Sequence, residues 1–485
     1  MVAAAPVNPA RAGNVTAGGF SAIDHLHMAR ALQLAALGLN TTTPNPRVGC
    51  VIAVGEQIVG EGWHQKAGMP HAEVIALHQA GIKARGATAY VTLEPCAHHG
   101  RTPPCADALI AAGVARVVAA MGDPNPAVAG RGMQRLAAAG IVADEGLMAE
   151  AALALNPGFV SRMTRGRPWV RLKVATTLDG KTALNNGVSQ WITSAPARAD
   201  GHAWRARACA VLTGFGTVRE DDPQLTVRAV PCERQPLKVV IDARLETPLD
   251  ARLLDGYPVL IACAKADPDK VAALREKNAQ VVEMPNAAGK VELDAVFAEL
   301  ARCGINEVHV EAGFKLNGSL LREHCVDELL IYQAPVLVGD AAQGAFNLPE
   351  LTTLDDARRL EIFRPPHGRR RSAPAGAFRG AQLGAWATYG AGRVLAQADA
   401  APFHVQAIEQ QDPPGQRGAD PGQQLERFGS LTGTNDAGDR REDTHHRAAH
   451  RLDILPFREQ AVITRTVVIA QVEHIKLAIE ADRRT

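Results

Sequence analysis

Apolar positions recur along this chain with two different periods, and the switches between them mark successive elements. Between positions 21 and 39, Met28, Leu32, Ala35, Ala36 and Leu39 fall at helical spacing, and Gly38 followed by Thr43-Pro44-Asn45-Pro46 supplies the stop. An amphipathic helix is predicted there. Short apolar runs at 48–54 and 57–63 flank Gly55-Glu56, the pattern of a β-hairpin. Helical spacing returns at 71–80, followed by a strand at 88–93, a helix at 107–112 and a buried strand at 114–120. Alternation of this kind predicts an α/β domain with helices covering a sheet. We place it at 21–160, after a disordered lead-in over 1–20 that carries Pro6, Pro9, Gly13, Gly18 and Gly19.

Residues 161–168, rich in Arg and Gly and ending in Pro168, read as a linker. A second alternating pattern occupies 169–363. Strands are predicted at 169–175, 210–213, 237–242, 259–262, 307–311 and 328–334, with helices at 195–207, 267–277, 293–303 and 314–323. This is a second α/β domain. After Phe363 the texture changes: Pro365-Pro366 and Arg369-Arg370-Arg371 lead into Gly, Ala, Gln and Arg stretches without sustained period. Lysine is absent from there until Lys476 while arginine is abundant, the bias of a GC-rich gene read out of frame. Residues 364–485 are therefore expected to form an irregular tail, disordered or frameshifted, and carry no assigned chemistry.

Composition narrows the partners. The 485 residues are 46% apolar with a net charge of +1, and no apolar run approaches the ~20 residues that cross a bilayer. Neither a membrane span nor a secretory signal is expected, which places the chain in the cytoplasm. Near-zero net charge removes the field that draws nucleic acid, so a small-molecule substrate is expected. The eight cysteines, without a secretory context, favour a thiolate site over a disulfide framework, and Cys96 and Cys105 lie close together.

Chemistry concentrates in two places. His71-Ala72-Glu73 precedes Pro95-Cys96 and Cys105, which gives one imidazole and two thiolates suited to Zn2+, with a fourth tetrahedral position left for water. Zinc nucleobase deaminases carry a His-x-Glu and a Pro-Cys-x-x-Cys signature in which the Glu shuttles protons, a role that Glu73 fits. Here eight residues, not two, separate the cysteines. In the second domain no Gly-x-Gly-x-x-Gly stands between a strand and a helix, so a dinucleotide would need another cradle. Ala312-Gly313-Phe314-Lys315-Leu316-Asn317-Gly318-Ser319 follows a strand and opens a helix, a placement suited to a diphosphate.

The wider pattern is more specific. Thr43-Pro44-Asn45-Pro46-Arg47-Val48-Gly49, His71-Ala72-Glu73 and the run from Thr92-Leu93-Glu94-Pro95-Cys96 through His98-His99-Gly100-Arg101 to Cys105 resemble the deaminase half of bifunctional riboflavin-biosynthesis enzymes, where the wider cysteine spacing is usual. Leu172-Lys173-Val174-Ala175, Leu178-Asp179-Gly180-Lys181, Ser189-Gln190-Trp191-Ile192-Thr193, Arg205, Thr217-Val218 and 221–228 resemble the reductase half. The resemblance covers about residues 20 to 363. It implies a cytidine-deaminase-like α/β/α domain followed by a dihydrofolate-reductase-like α/β domain.

It also implies one Zn2+ held by His71, Cys96 and Cys105, with Glu73 catalytic and Asn45, His64, His98 and Arg101 around the substrate, Arg101 and His64 near its phosphate. NADPH is then contacted by Ala175, Trp191, Thr217, Asp221 and Gly313 through Ser319, that is Gly313, Phe314, Lys315, Leu316, Asn317, Gly318 and Ser319. Ser189, Arg205, Leu225, Arg228 and Glu311 hold the second substrate, with Lys173 and Asp179 candidates for protonation or orientation. The implied reaction is deamination of a diamino-ribosylamino-pyrimidinone 5′-phosphate, then reduction of its ribosyl group, by a homo-oligomer. After Glu361-Ile362-Phe363 such enzymes continue into one closing strand, which here is replaced. That predicts an uncovered edge and a reductase less stable than the deaminase. A deaminase fused to an unrelated reductase fits the Cys96 to Cys105 spacing poorly, and a purely structural zinc module lacks a fourth protein ligand.

Overall fold

The computed structural model describes residues 19–98, 103–126, 128–358, 360–363, 391–395 and 403–408. Its first unit runs α1 (Ala22–Ala36), β1 (Gly49–Val54), β2 (Gln57–Trp63), α2 (Ala72–Ala80), β3 (Thr88–Val91), α3 (Cys105–Ala112), β4 (Arg116–Ala119), α4 (Arg131–Ala138), β5 (Val142–Glu145), α5 (Ala149–Leu155) and α6 (Pro157–Arg165). The strands order as β2-β1-β3-β4-β5. Strands β1 and β2 form the expected hairpin, β1 also pairs antiparallel with β3, and β3, β4 and β5 are parallel.

Alternation along these strands divides the core in two. Cys50, Ile52, Ala89, Val91, Val117 and Ala119 face Ala72, Ala76, Leu109 and Leu136 of α2, α3 and α4. Val51, Ala53, Tyr90 and Val118 face Met28, Leu32 and Ala152 of α1 and α5. The result is an α/β/α sandwich. A Cβ on Gly62 would sit 2.2 Å from the Ala72 carbonyl oxygen, so only glycine lets α2 lie this close to β2.

The second unit runs β6 (Trp169–Thr177), β7 (Lys181–Ala183), α7 (Ala195–Arg207), β8 (Ala210–Gly214), α8 (Phe215–Asp221), β9 (Leu237–Ile241), β10 (Val259–Cys263), α9 (Pro268–Glu276), β11 (Ala279–Glu283), α10 (Leu293–Arg302), β12 (Glu307–Val310), α11 (Phe314–Arg322), β13 (Glu328–Ala334), β14 (Gln343–Gly344), β15 (Leu360–Phe363), β16 (Ala391–Leu395) and β17 (Phe403–Ile408). Strands β11-β10-β9-β8-β12-β6-β13 form a parallel sheet, and β16, β15 and β17 continue it. Its core gathers Val170, Leu172, Leu212, Val239, Val308 and Val310 beneath Val296, Phe297, Leu300 and Leu320.

Two expectations are corrected. The stretch expected to be a linker lies largely within α6, because its arginines are anchored: Arg165 and Arg167 reach buried Asp327 at 2.7 and 2.8 Å, and the Ser161 hydroxyl donates to the Arg167 carbonyl. Nor is the edge of β13 left uncovered. Strand β16 pairs antiparallel with it from Glu328↔Leu395 to Tyr332↔Ala391, since ladder hydrogen bonds come from the main chain and ask only for a strand-compatible run. The tail is thus not irregular throughout. The lead-in over 1–18 and the rest of 364–485 lie outside the described residues. Among the described residues no helix is long and apolar enough to cross a membrane.

Candidate active sites

The first site forms where two helices begin beside the exit of β3. His71 caps α2, Cys105 opens α3, and Cys96 lies on the loop after β3. His71 Nδ1 stands 3.2 Å from Cys105 Sγ and 3.6 Å from Cys96 Sγ, and all three ligand atoms lie within 4.8 Å of one another. A tetrahedral zinc with ordinary bond lengths requires such atoms to be about 3.5–3.8 Å apart. The donor set and its spacing therefore fit the ion. The Cys105 backbone N–H donates to Cys96 Sγ at 3.4 Å. The hydrogen bond between the two thiols holds Cys96 well below, and Cys105 well above, the ordinary thiol value, so one thiolate is already favoured.

Glu73 lies in the first turn of α2, two residues after His71, and is buried, which pushes its carboxyl up to about 7. Its Oε2 has no hydrogen-bond partner among the described residues. An orphaned buried oxygen is costly and persists where a ligand or water belongs. Asn45 Nδ2 donates to His64 Nε2 at 3.0 Å, and His64 Nδ1 meets the Pro70 carbonyl at 3.1 Å. That pattern fixes a neutral ring, and burial lowers its pKa further. His64 therefore orients Asn45 and brings no charge to a phosphate. Its ring meets that of His71 edge to face at 5.4 Å. His98 is exposed, and Arg101 lies outside the described residues.

Sequence reasoning gave Glu94 no role. The structure buries it beneath the 122–133 segment, where it accepts backbone N–H groups from Asp123, Gly130, Gly132 and Met133 at 2.8–3.3 Å. It braces the chain two residues before Cys96.

The second site sits at the carboxyl ends of β6, β8 and β12, where open α/β sheets receive ligands. Glu311 leaves β12 with its N–H on the Leu212 carbonyl, while Thr213 Oγ1 donates to the Glu311 carbonyl. Arg205 grips its carboxylate through Nε and Nη2 and gives Nη1 to the Thr226 carbonyl at 3.0 Å. Burial alone would raise the Glu311 carboxyl, but the Arg205 charge overcomes it and keeps the group well below its usual value. Most of the Arg205 fork is thus committed to protein, whereas Arg228 is exposed and gives Nη1 to Thr226 Oγ1 at 3.0 Å.

Half-buried Lys173 has Nζ 5.6 Å from the Tyr332 ring; burial lowers its pKa and Glu311 opposes the shift. Buried Leu225 adopts φ +55° and anchors the loop that carries Thr226 and Arg228. Ser189 and Ala175 are half-buried, and Asp179 bonds Thr177 and the Val338 and Gly339 amides, a turn-holding role.

The expected cofactor residues divide. Gly313 caps α11 opposite Thr217, Asp221 closes α8, and Trp191 is exposed under the Arg198 guanidinium at 4.5 Å. Lys315 is exposed, with Phe314 and Ser319 half-buried. Leu316 packs on Gly214, Asn317 is buried on the Ala345 carbonyl, and Gly318 abuts Asn347. Those three side chains face protein, and Asn317 spends its N–H on the Gly313 carbonyl, so of the three Leu316 is the one whose helix-start amide could serve a cradle. Sequence reasoning missed His202 and His309. His202 stands one turn before Arg205 in α7 and accepts the Arg228 N–H, a helical spacing that could have flagged it. Buried His309 lies 3.5 Å from Glu311, and nothing in the local pattern marks it.

The "Cytidine and deoxycytidylate deaminase zinc-binding region" model matches residues 21–121, and the "RibD C-terminal domain" model matches 168–362. The chain is 49% identical over 356 residues to riboflavin biosynthesis protein RibD of Escherichia coli K12, covering 70% of this chain and 95% of that one. The chain belongs to the RibD family. Haemophilus influenzae RibD is 47% identical over 351 residues, covering 70% of this chain and 93% of its own. The solved RibD of Acinetobacter baumannii superposes with a TM-score of 0.65 at 43% identity, covering 70% and 94% of the two chains. A Thermotoga maritima diaminohydroxyphosphoribosylaminopyrimidine deaminase/5-amino-6-(5-phosphoribosylamino)uracil reductase gives 0.62 at 32% identity with the same coverages. As a RibD, the chain is a bifunctional riboflavin-biosynthesis enzyme, a zinc-dependent deaminase joined to an NADPH-dependent reductase that acts on a small molecule.

Proposed function

We propose that the two sites divide the work by residue as follows. In the first, His71, Cys96 and Cys105 hold zinc, which when bound supplies a Lewis acid that activates water. Glu73 takes a proton at its unpartnered Oε2 and delivers it to the departing amine of 2,5-diamino-6-ribosylamino-4(3H)-pyrimidinone 5′-phosphate. Asn45, oriented by His64, hydrogen-bonds the pyrimidine, and His98 and Arg101 are further substrate-binding residues.

In the second, NADPH supplies the reducing equivalents. Its diphosphate is held by amides at the start of α11, its remaining contacts coming from Ala175, Trp191, Thr217 and Asp221. Glu311, fixed by Arg205, accepts hydrogen bonds from the ribose hydroxyls, while Ser189, Leu225 and Arg228 position the ring and phosphate. Lys173 stands beside Glu311 as the proton source for the opened ribose as it becomes ribityl. The deaminase occupies 21–160 and the reductase 169–363, in a cytoplasmic homo-oligomer that binds no nucleic acid. The near-neutral chain supports that last reading.

The single observation that carries the deaminase reading is the buried Glu73 carboxyl, with its Oε2 unpartnered among the described residues, beside a three-ligand cluster. Glu73→Gln tests it. Zinc content stays, NADPH oxidation of supplied deaminated substrate stays, and ammonia release falls by about 10²–10⁴, the ordinary worth of a general acid and base. Unchanged ammonia release rejects the role.

A further inference from the structure

The loop that carries Asn45 belongs by sequence to the deaminase, yet much of its support comes from the other unit. Asn306 Nδ2 donates to the Pro44 carbonyl at 3.0 Å, and Asn306 Oδ1 accepts from Arg162 Nε at 2.6 Å. Arg162 Nη2 approaches the same Pro44 carbonyl at 3.3 Å. Thr43 Oγ1 lies 3.3 Å from Cys209 Sγ, and Arg234 Nε donates to the Asn40 carbonyl at 2.8 Å. On the far side of Asn45, Arg47 ties the loop down: Nε and Nη2 reach the Leu39 carbonyl, and Nη1 reaches both the Leu155 carbonyl and Glu307 Oε1 at 2.6 Å. Glu307 is fully buried on β12, where Arg171 and Arg207 share its other oxygen.

From these contacts we infer that Asn306 and Glu307, residues of the reductase sheet, are positioning residues for the deaminase. They hold the two flanks of Asn45, Pro44 and Arg47, so that its amide stays on His64 beside the metal cluster. The deaminase pocket is then complete only with the reductase docked. The physical reason lies in the loop itself. Two prolines deprive residues 43–47 of two amide donors, so the segment cannot brace itself with a backbone ladder and takes its partners from side chains. The charge on Arg47 is buried, and Glu307 is what neutralises it. The same strand ends at Val310 and Glu311 follows it directly, so one short stretch of chain braces one site and furnishes the other.

The inference rests on the reading of Asn45 as a substrate contact, and the experiment separates the two. In the full-length, zinc-loaded enzyme, Asn306→Ala removes both bonds at the seam without leaving a buried charge, and Glu307→Gln weakens the grip on Arg47. Asn45→Ala serves as the reference. Both seam variants are expected to raise KM for ammonia release about fivefold, the equivalent of one ordinary net hydrogen bond, with kcat within about twofold. Zinc content stays at wild type in both, and NADPH oxidation is unchanged in Asn306→Ala. A purely structural role would lower the active fraction, and with it kcat, and leave KM alone. Unchanged KM in both seam variants while Asn45→Ala raises it overturns the inference and leaves the site reading standing. Unchanged KM in Asn45→Ala as well overturns the site reading and the inference with it.

Discussion

Gly132→Ala probes how tightly the zinc ligands depend on packing that never touches the metal. Gly132 lies in the first turn of α4, and its N–H donates to Glu94 Oε1 at 2.8 Å. A Cβ built there falls 1.9 Å from the Pro95 carbonyl oxygen, whereas real Cβ contacts stay beyond 3.0 Å. The difference, 3.0 − 1.9 = 1.1 Å, is the smallest separation that must be opened between α4 and the Pro95-Cys96 peptide. Both sides are backbone, so no side chain can swing away.

If the Pro95 side gives, Cys96 moves by much of that distance, several times the ~0.2 Å tolerance of a metal–ligand bond. If α4 gives, the Glu94 bonds to Gly130, Gly132 and Met133 are strained, and the same loop loosens. Overpacking of this kind costs roughly 1–3 kcal/mol of stability. Lost support around a ligand costs about 10–100-fold in metal affinity. The assay is zinc competition against a chelator, paired with ammonia release and with NADPH oxidation as an internal control. Gly201→Ala, at a helical position with nothing within 4 Å of the new methyl, is the neutral comparison. Wild-type zinc affinity in Gly132→Ala would refute the reasoning.

Three further outcomes follow from the second site and the tail. Glu311→Gln leaves Arg205 without its buried counter-charge, so NADPH oxidation should fall by more than about tenfold while ammonia release persists; equal loss of both activities would count against the assignment. His202 should titrate near 4 by NMR, depressed by burial and then by Arg205 and Arg228, and Arg205→Ala should move it upward. Because its folded pKa lies below the unfolded value of about 6.5, its contribution to stability is present above pH 6.5 and is lost as pH falls toward 4. A midpoint near 6.5 would show that the pocket does not enclose it. Truncation after Phe363 removes β16 and exposes the β13 edge, so the reductase transition should fall in temperature and aggregation should rise; an unchanged melt means that β16 adds no stability.

What the sequence determined by itself was whatever depends on local order. The 3.6 and 2 periods located α1, the β1–β2 hairpin and strands β6, β8, β9, β10, β12 and β13, because burial of one face imposes its repeat on neighbouring positions. His71, Glu73, Cys96 and Cys105 were legible because zinc chemistry accepts few side chains and their types and order survive translation into text. Short elements escaped. Helices α4 and α5 are brief, edge strands β5 and β11 are only partly buried and carry little alternation, and α8 follows β8 directly, with Gly214 ending the strand and capping the helix.

Only the tertiary structure decided which charges are buried. Arg47, Arg171, Glu307 and Asp327 look like surface residues, since polar composition argues for exposure, and each became interior through partners distant in sequence. The same holds for function. Arg205 could be read as a free phosphate ligand until Glu311, 106 positions away, was seen to occupy its fork. Local pattern names the groups that can do chemistry, but long-range packing sets their neutralisation, orientation and access, and no window along the chain contains both partners.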